Sequence, residues 1–357
     1  MKKNLQERSD EAFFSGLVLP RGVYFKYKIL YCISCFIFRK RNYNLTMLKF
    51  LLFILLQVSL LAPAFAWGIK NKKTNAAEPK TVKVQAEDKA KPLPSDLQVL
   101  IGAYPELKIH AQFDQAQNEY KITFNSYGKD FMFYWADGRV LPPEELKNRQ
   151  NFHPIIYPYN NVLRDPSTFT EEEIAHLKEY GKVSSRKNAP GTPMFFFDAI
   201  YSSQSRSTIE RHIVTTTFLG KPTRVHEKIF PKLKNVEKKI LEAEKTSPKV
   251  KTFVRELKSA AAYHWREIDG TSRKSFHSLG IAIDVLPVAY HGGEVYWSWA
   301  RDKNPSGWMK TPLKRRWMPP EEVIRAFESE GFIWGGYWAI WDNMHFEYHP
   351  ELRAKSN

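Results

Sequence analysis

An aspartate sits in the middle of an apolar strand. Residues 280–286 read GIAIDVL. Their alternation puts Ala282, Asp284 and Leu286 on one face and Ile281, Ile283 and Val285 on the other. A carboxylate in such a strand is costly to bury unless a metal or a partner satisfies it. His277 stands just before the strand, and Gly280 allows a turn that folds His277 back beside Asp284. A second strand-like stretch, GFIWGGYW (331–338), leads into DNMHFE (342–347). There His345 has Asp342 three residues before it and Glu347 two residues after. A third piece, YHWR (263–266), ends on Arg266, eleven residues before His277.

These residue types suit one chemistry. A catalytic zinc site uses three protein ligands of nitrogen and oxygen type and keeps a fourth position for water. His277, Asp284 and His345 supply two imidazoles and a carboxylate. A neighbouring carboxylate that is not a ligand can take the proton from the activated water, and Asp342 is the candidate base. An arginine can polarise the scissile carbonyl or hold a substrate carboxylate, and Arg266 is the candidate. Glu347, on the strand face of His345, can orient that imidazole from behind.

The segment SFHSLGIAID (275–284) resembles the Ser-x-His-x-x-Gly-x-Ala-x-Asp signature of the zinc D-alanyl-D-alanine carboxypeptidase and dipeptidase family. That family also holds L-alanyl-D-glutamate endopeptidases. GFIWGGYW…DNMHFE resembles its second signature, an aromatic-glycine stretch leading to a carboxylate-x-x-His-Phe-Glu segment. The resemblance covers roughly residues 220–352. It implies a small α+β domain with a central antiparallel sheet holding one Zn2+ through His277, Asp284 and His345, with Asp342 as general base. Many relatives carry glutamate at the base position, so aspartate shortens the reach. Relatives often place the arginine on a strand well upstream, with a helix between. Arg266 lies closer than that, and Arg255 and Arg273 are alternatives.

The rest of the chain bounds this reading. At 357 residues, 43% hydrophobic and 26% charged, it has the balance of a globular protein. No run of eighteen apolar residues exists, so a polytopic membrane protein is excluded. From Met47 the sequence MLKFLLFILLQVSLLAPAFA shows a basic start at Lys49, an apolar run over 50–62 and the small-x-small pattern Ala64-Phe65-Ala66. This is the anatomy of a secretory signal peptide over 47–66. Residues 1–46 then read as an over-extended gene model. The only cysteines, Cys32 and Cys35, lie within them, so no disulfide framework or Cys-ligated metal is available downstream. Residues 67–96 are rich in Lys, Ala and Pro and read as a tether. Residues 97–218 read as an accessory α+β region, and 219–357 as the zinc peptidase domain.

Net charge is +16, of which +9 falls on residues 67–357 (44 basic against 35 acidic). That favours an anionic partner. Export and the lack of a nucleic-acid motif argue for the cell wall over nucleic acid, with peptidoglycan stem peptides as substrate and no membrane span after signal cleavage. The expected location is the periplasm or the extracellular cell-wall space.

Local expectations follow from pattern. Segments 108–113, 120–124 and 131–135 read as strands, with turns at 114–118, 125–130 and Asp137-Gly138. Thr168 is the expected N-cap of a helix over 170–180. The apolar run 194–200 reads as a strand. Residues 225–245 are helical in period, with a start or kink at Pro231, and 250–260 form a second helix. Eight of the ten tryptophans fall between 265 and 341. Most suit core packing, while Tyr337 and Trp338 are candidates for a substrate platform. Lys314-Arg315-Arg316 reads as a solvated loop. Gly335-Gly336 reads as a place of close backbone approach. His349 reads as a rim residue, and His110, His153, His176, His212, His226 and His291 carry no assignment.

Overall fold

The computed structural model describes residues 91–356. The signal-peptide reading at 47–66, residues 1–46 and most of the tether lie outside the described residues. The first helix, α1 (Ser95–Ala103), begins just inside the stretch read as tether.

A four-stranded antiparallel meander follows: β1 (His110–Asp114), β2 (Glu119–Ser126), β3 (Lys129–Ala136) and β4 (Arg139–Leu141). The three strands expected here are present, and Asp137 and Gly138 make the β3–β4 turn with positive φ. Helix α2 (Glu171–Tyr180) is capped by Thr170, not Thr168. The Thr170 hydroxyl accepts from Glu173 N, and the Glu173 carboxylate accepts from Thr170 N. That reciprocal capping box outbids the earlier threonine, whose hydroxyl is spent on the Asp165 carbonyl.

Helix α3 (Val183–Asn188) comes next, then α4 (Phe195–Tyr201). The run 194–200 is therefore helix and not strand. Its apolar residues are buried on nearly all sides, and such a run has no period to separate the two states. After α5 (Arg206–Ile209), β5 (Ile213–Phe218) and β6 (Lys221–His226) form a hairpin about Leu219-Gly220. Val225 thus belongs to a strand. Helix α6 (Phe230–Glu244) has Pro231 in its first turn, near the start the sequence suggests, and buries Leu233, Val236 and Ile240 along one stripe.

Helix α7 stops at Glu256 (Pro248–Glu256), shorter than expected, and the chain continues directly into strand β7 (Leu257–Ala261). The second sheet has the order β7-β8-β10-β9, with β8 at Ala282–Pro287, β9 at Phe332–Trp334 and β10 at His345–Tyr348, all antiparallel. Helices α8 (Trp297–Lys303), α9 (Glu321–Glu328) and α10 (Pro350–Ser356) complete the described chain. The architecture is α+β.

One apolar core holds Leu97, Leu100 and Tyr104 of the N-terminal region together with Ile283, Phe327 and Phe346 of the C-terminal region. Trp297, Trp308, Trp334 and Trp341 are buried and Trp265 and Trp317 pack against the core, so most of the eight tryptophans between 265 and 341 serve packing. Arg316 departs from expectation. It is buried, its guanidinium lies 4.5 Å over the Trp341 ring, and its Nε donates to Thr311 O at 3.1 Å. Burial lowers its pKa to about 10. Lys314 and Arg315 alone are solvated.

Candidate metal centre

Two antiparallel strands bring the site together. β8 and β10 pair in a register that places His345 opposite Asp284, so a cross-strand pair supplies two of the three groups. His277 arrives through a short 3-10 turn, Phe276–Leu279, capped by Gly280 at φ 68°. A Cβ on Gly280 would lie 2.8 Å from His226 N, and Gly280 O accepts from that same N–H at 3.0 Å. Only glycine permits this approach together with that φ. The turn folds His277 back onto Asp284 as the sequence implies.

His277 Nε2 lies 3.3 Å from Asp284 Oδ2 and 3.3 Å from His345 Nδ1, and His345 Nδ1 lies 2.7 Å from Asp284 Oδ1. The far ring nitrogens are both engaged. His277 Nδ1–H donates to Ala262 O at 2.7 Å, and His345 Nε2–H donates to Glu347 Oε1 at 2.8 Å. Those bonds fix the tautomers and turn a lone pair of each ring toward Asp284. Acceptors therefore converge on one point with no hydrogen between them unless a ring is protonated. A cation satisfies all three at once. Four tetrahedral zinc ligands at about 2.0–2.1 Å stand roughly 3.3 Å apart, which matches the two His277 separations, while the 2.7 Å His345–Asp284 pair would open to admit the ion. The residues fit one zinc ion.

The electrostatics say the same. Burial opposes charge on Asp284, yet His277 and His345 hold its carboxyl well below the ordinary carboxylate range. Burial likewise opposes charge on the His345 ring, yet Asp284 and Glu347 push its pKa well above the histidine range. Glu347 is held down to about 2 against its burial, by His345 and His349.

Asp342 behaves differently. Burial raises its pKa to about 7, with His345 acting against the rise and Asp284 and Glu347 adding to it. Its Oδ1 is buried with no hydrogen-bond partner. Its backbone is pinned by Asp342 N donating to Gly335 O at 3.0 Å. A Cβ on Gly335 would come within 2.7 Å of Asp342 O, so this glycine does serve close backbone approach. Asp342 thus keeps one oxygen free beside the ligands, while the Met344 backbone N–H donates to its carboxylate, and the group is poised near neutrality.

A cleft of about 500 Å³ opens onto His277 and Asp284, walled by Arg224, Ala261, Tyr263 and Arg266. The structure places Arg266 on this wall. Arg255 pairs with Glu256 at 3.1 Å on helix α7, and Arg273 donates to the carbonyls of Pro190 and Arg186. Neither of those two lines the cleft. Arg224, absent from the sequence reading, does. It is exposed on β6 between buried Thr223 and Val225, with its guanidinium 4.9 Å over the Tyr263 ring. The alternation K-P-T-R-V-H was the available signal, obscured by assigning Val225 to a helix.

Residues 269–348 match the family model for D-alanyl-D-alanine carboxypeptidase. The match spans both signatures and bears out the resemblance. The match supports a peptidoglycan-acting metallopeptidase domain over this stretch, and its His-Asp-His group is the one cluster among the described residues whose ligand atoms lie within 4.8 Å of one another. Residues 96–157 match a domain of unknown function. No curated protein and no solved structure matches the chain. No helix among the described residues is long and apolar enough to cross a membrane.

Around the site, Trp338 is half-buried with its ring 5.7 Å from that of His345, whereas Tyr337 packs inward on Trp334 and Tyr159. Of the two platform candidates, only Trp338 borders a ligand. His349 is not a rim residue. It is buried, with Nε2 3.2 Å from Glu347 Oε2 and Nδ1 2.7 Å from Glu351 Oε1. Proline at 350 ends the strand, and helix α10 brings Glu351 back over the ring.

Proposed function

We propose that this protein is an exported zinc-dependent peptidase that removes the terminal D-alanine from peptidoglycan stem peptides. The observation that carries the reading is the convergence of the His277, Asp284 and His345 lone pairs beside the Asp342 carboxylate, whose buried Oδ1 has no hydrogen-bond partner. Bound zinc would supply a Lewis acid for the scissile carbonyl and lower the pKa of water. Asp342 accepts the proton of the attacking water and returns it to the leaving amine. A pKa near 7 suits a group that must do both. Arg266 and Arg224, on one wall of the cleft, hold the carboxylate of the terminal residue or stabilise the oxyanion. Two cations facing a cleft favour a substrate ending in a carboxylate over an internal peptide bond. The segment 47–66 is the export signal in this reading, and residues 97–218 form an accessory region attached to the peptidase domain 219–357.

Digestion of purified muropeptides, with and without a zinc chelator, tests the proposal by mass spectrometry. Chelator-sensitive loss of one D-alanine supports it. Chelator-sensitive cleavage between L-alanine and D-glutamate would make the protein an endopeptidase. Zinc content with no cleavage of either kind would leave a cell-wall binding module.

A further inference from the structure

The residues HFEYHPE (345–351) put His345, Glu347, His349 and Glu351 two apart along the chain. In the structure they join end to end. His345 Nε2 meets Glu347 Oε1 at 2.8 Å, and Glu347 Oε2 meets His349 Nε2 at 3.2 Å. His349 Nδ1 meets Glu351 Oε1 at 2.7 Å, and Tyr104 Oη donates to Glu351 Oε2 at 2.6 Å. Tyr104 comes from the turn after α1, 247 positions away from Glu351. Tyr104 is 2% exposed, His349 4% and Glu351 0%. Both nitrogens of His349 face carboxylates, so both donate, and the ring is a cation between two anions. Phe276, from the first signature, and Phe197, from α4, meet its ring edge-on at 4.6 and 5.5 Å.

Each link leaves the next only one favourable orientation. A carboxylate with one oxygen on His345 and the other on His349 cannot rotate without breaking a buried bond. Glu347 so held presents a fixed acceptor to His345, and the ring then aims Nδ1 at the metal position.

We propose that the chain His349–Glu351–Tyr104 is a positioning relay, through which the N-terminal region sets the orientation of His345 and hence the affinity of the centre for zinc. This rests on the zinc reading above. It gives residues near Tyr104 a role in the peptidase site that no match to the chain assigns. None of the three lines the cleft at His277 and Asp284.

The test uses the full-length protein and zinc affinity measured by competition with a chromophoric chelator. The variants are Tyr104→Phe, His349→Gln and Glu351→Gln. Tyr134→Phe serves as the control, because it removes another tyrosine–carboxylate bond (Tyr134 Oη to Asp114 Oδ2, 2.8 Å) in the β1–β4 meander, off the relay. Partners behind a ligand typically matter 10- to 100-fold in affinity, so His349→Gln should weaken zinc by about tenfold and Tyr104→Phe by a few-fold. Tyr134→Phe should lower the melting temperature of the metal-free protein while zinc affinity stays at the wild-type value. The visible spectrum of the cobalt-substituted relay variants should also shift, a signature that loss of stability alone does not produce. Tyr104→Phe keeps the packed ring and so tests the relay even if His349→Gln fails to fold. Equal zinc affinity in Tyr104→Phe, Glu351→Gln and wild type overturns the relay. Absence of zinc binding in wild type overturns the metal-centre reading, and the relay with it.

Discussion

His226 should make the fold acid-sensitive in a window that can be calculated. Its ring is fully buried at the end of β6. Nε2–H donates to Tyr201 O at 3.2 Å, and Nδ1 accepts from Lys228 N at 3.1 Å. The neutral ring is therefore satisfied on both sides. A proton on Nδ1 would face the Lys228 N–H, donor against donor. Burial lowers the pKa from 6.5 to about 3, with His212 and Lys228 adding to the fall. Between these values the unfolded chain binds a proton that the folded chain refuses, so stability rises with pH across the window. The contribution is complete above about pH 6.5 and is lost as pH falls toward 3. At 1.36 kcal/mol per pKa unit, the loss from pH 7 to pH 4.5 is about 3 kcal/mol. Urea unfolding of wild type and His226→Gln at both pH values isolates it, because other groups contribute equally to the two proteins. Glutamine can keep a donor and an acceptor at this position. The variant should lose about 3 kcal/mol less than wild type on acidification. Equal losses in the two proteins would refute the reasoning.

Three further outcomes follow from the site. Gly280→Ala should cost at least about 2 kcal/mol, because its φ of 68° disfavours a side chain and the new Cβ meets the His226 backbone; thermal melting reads this, and zinc affinity should fall as His277 swings away. Asp342→Asn should retain zinc yet lose about 10²- to 10⁴-fold in kcat on muropeptides, and a variant with wild-type turnover would remove Asp342 from the base role. Arg224→Ala and Arg266→Ala should each reduce kcat/KM, whereas Arg255→Ala, distant on α7, should leave it unchanged; the split between KM and kcat tells carboxylate binding from oxyanion stabilisation.

The metal cluster was legible in the chain because its parts are local. An aspartate in a period-two apolar strand, a histidine across a glycine turn and a histidine flanked by carboxylates each break a simple pattern, and each break has a cost that only chemistry explains. The helix start near Pro231 and the β1–β3 meander were legible for the same reason: proline, turn residues and alternation act over a few neighbours. The sequence by itself therefore determined which residues could ligate a metal, where most strands run and that the chain is α+β.

Tertiary structure decided the rest. The run 194–200 carries no period, and its burial on nearly every side made it helix α4. Arg316 is in character a surface residue, but Trp341 and the Thr311 carbonyl gave it a buried place that no neighbour in sequence announces. Arg224 entered the cleft only because the β5–β6 hairpin sets β6 beside β7, where Tyr263 N donates to Arg224 O at 2.7 Å. The spacing of His345, Glu347, His349 and Glu351 is visible in the chain, but the link to Tyr104 is not. A hydrogen bond between residues 247 positions apart depends on loop closure and core packing, which no local pattern encodes.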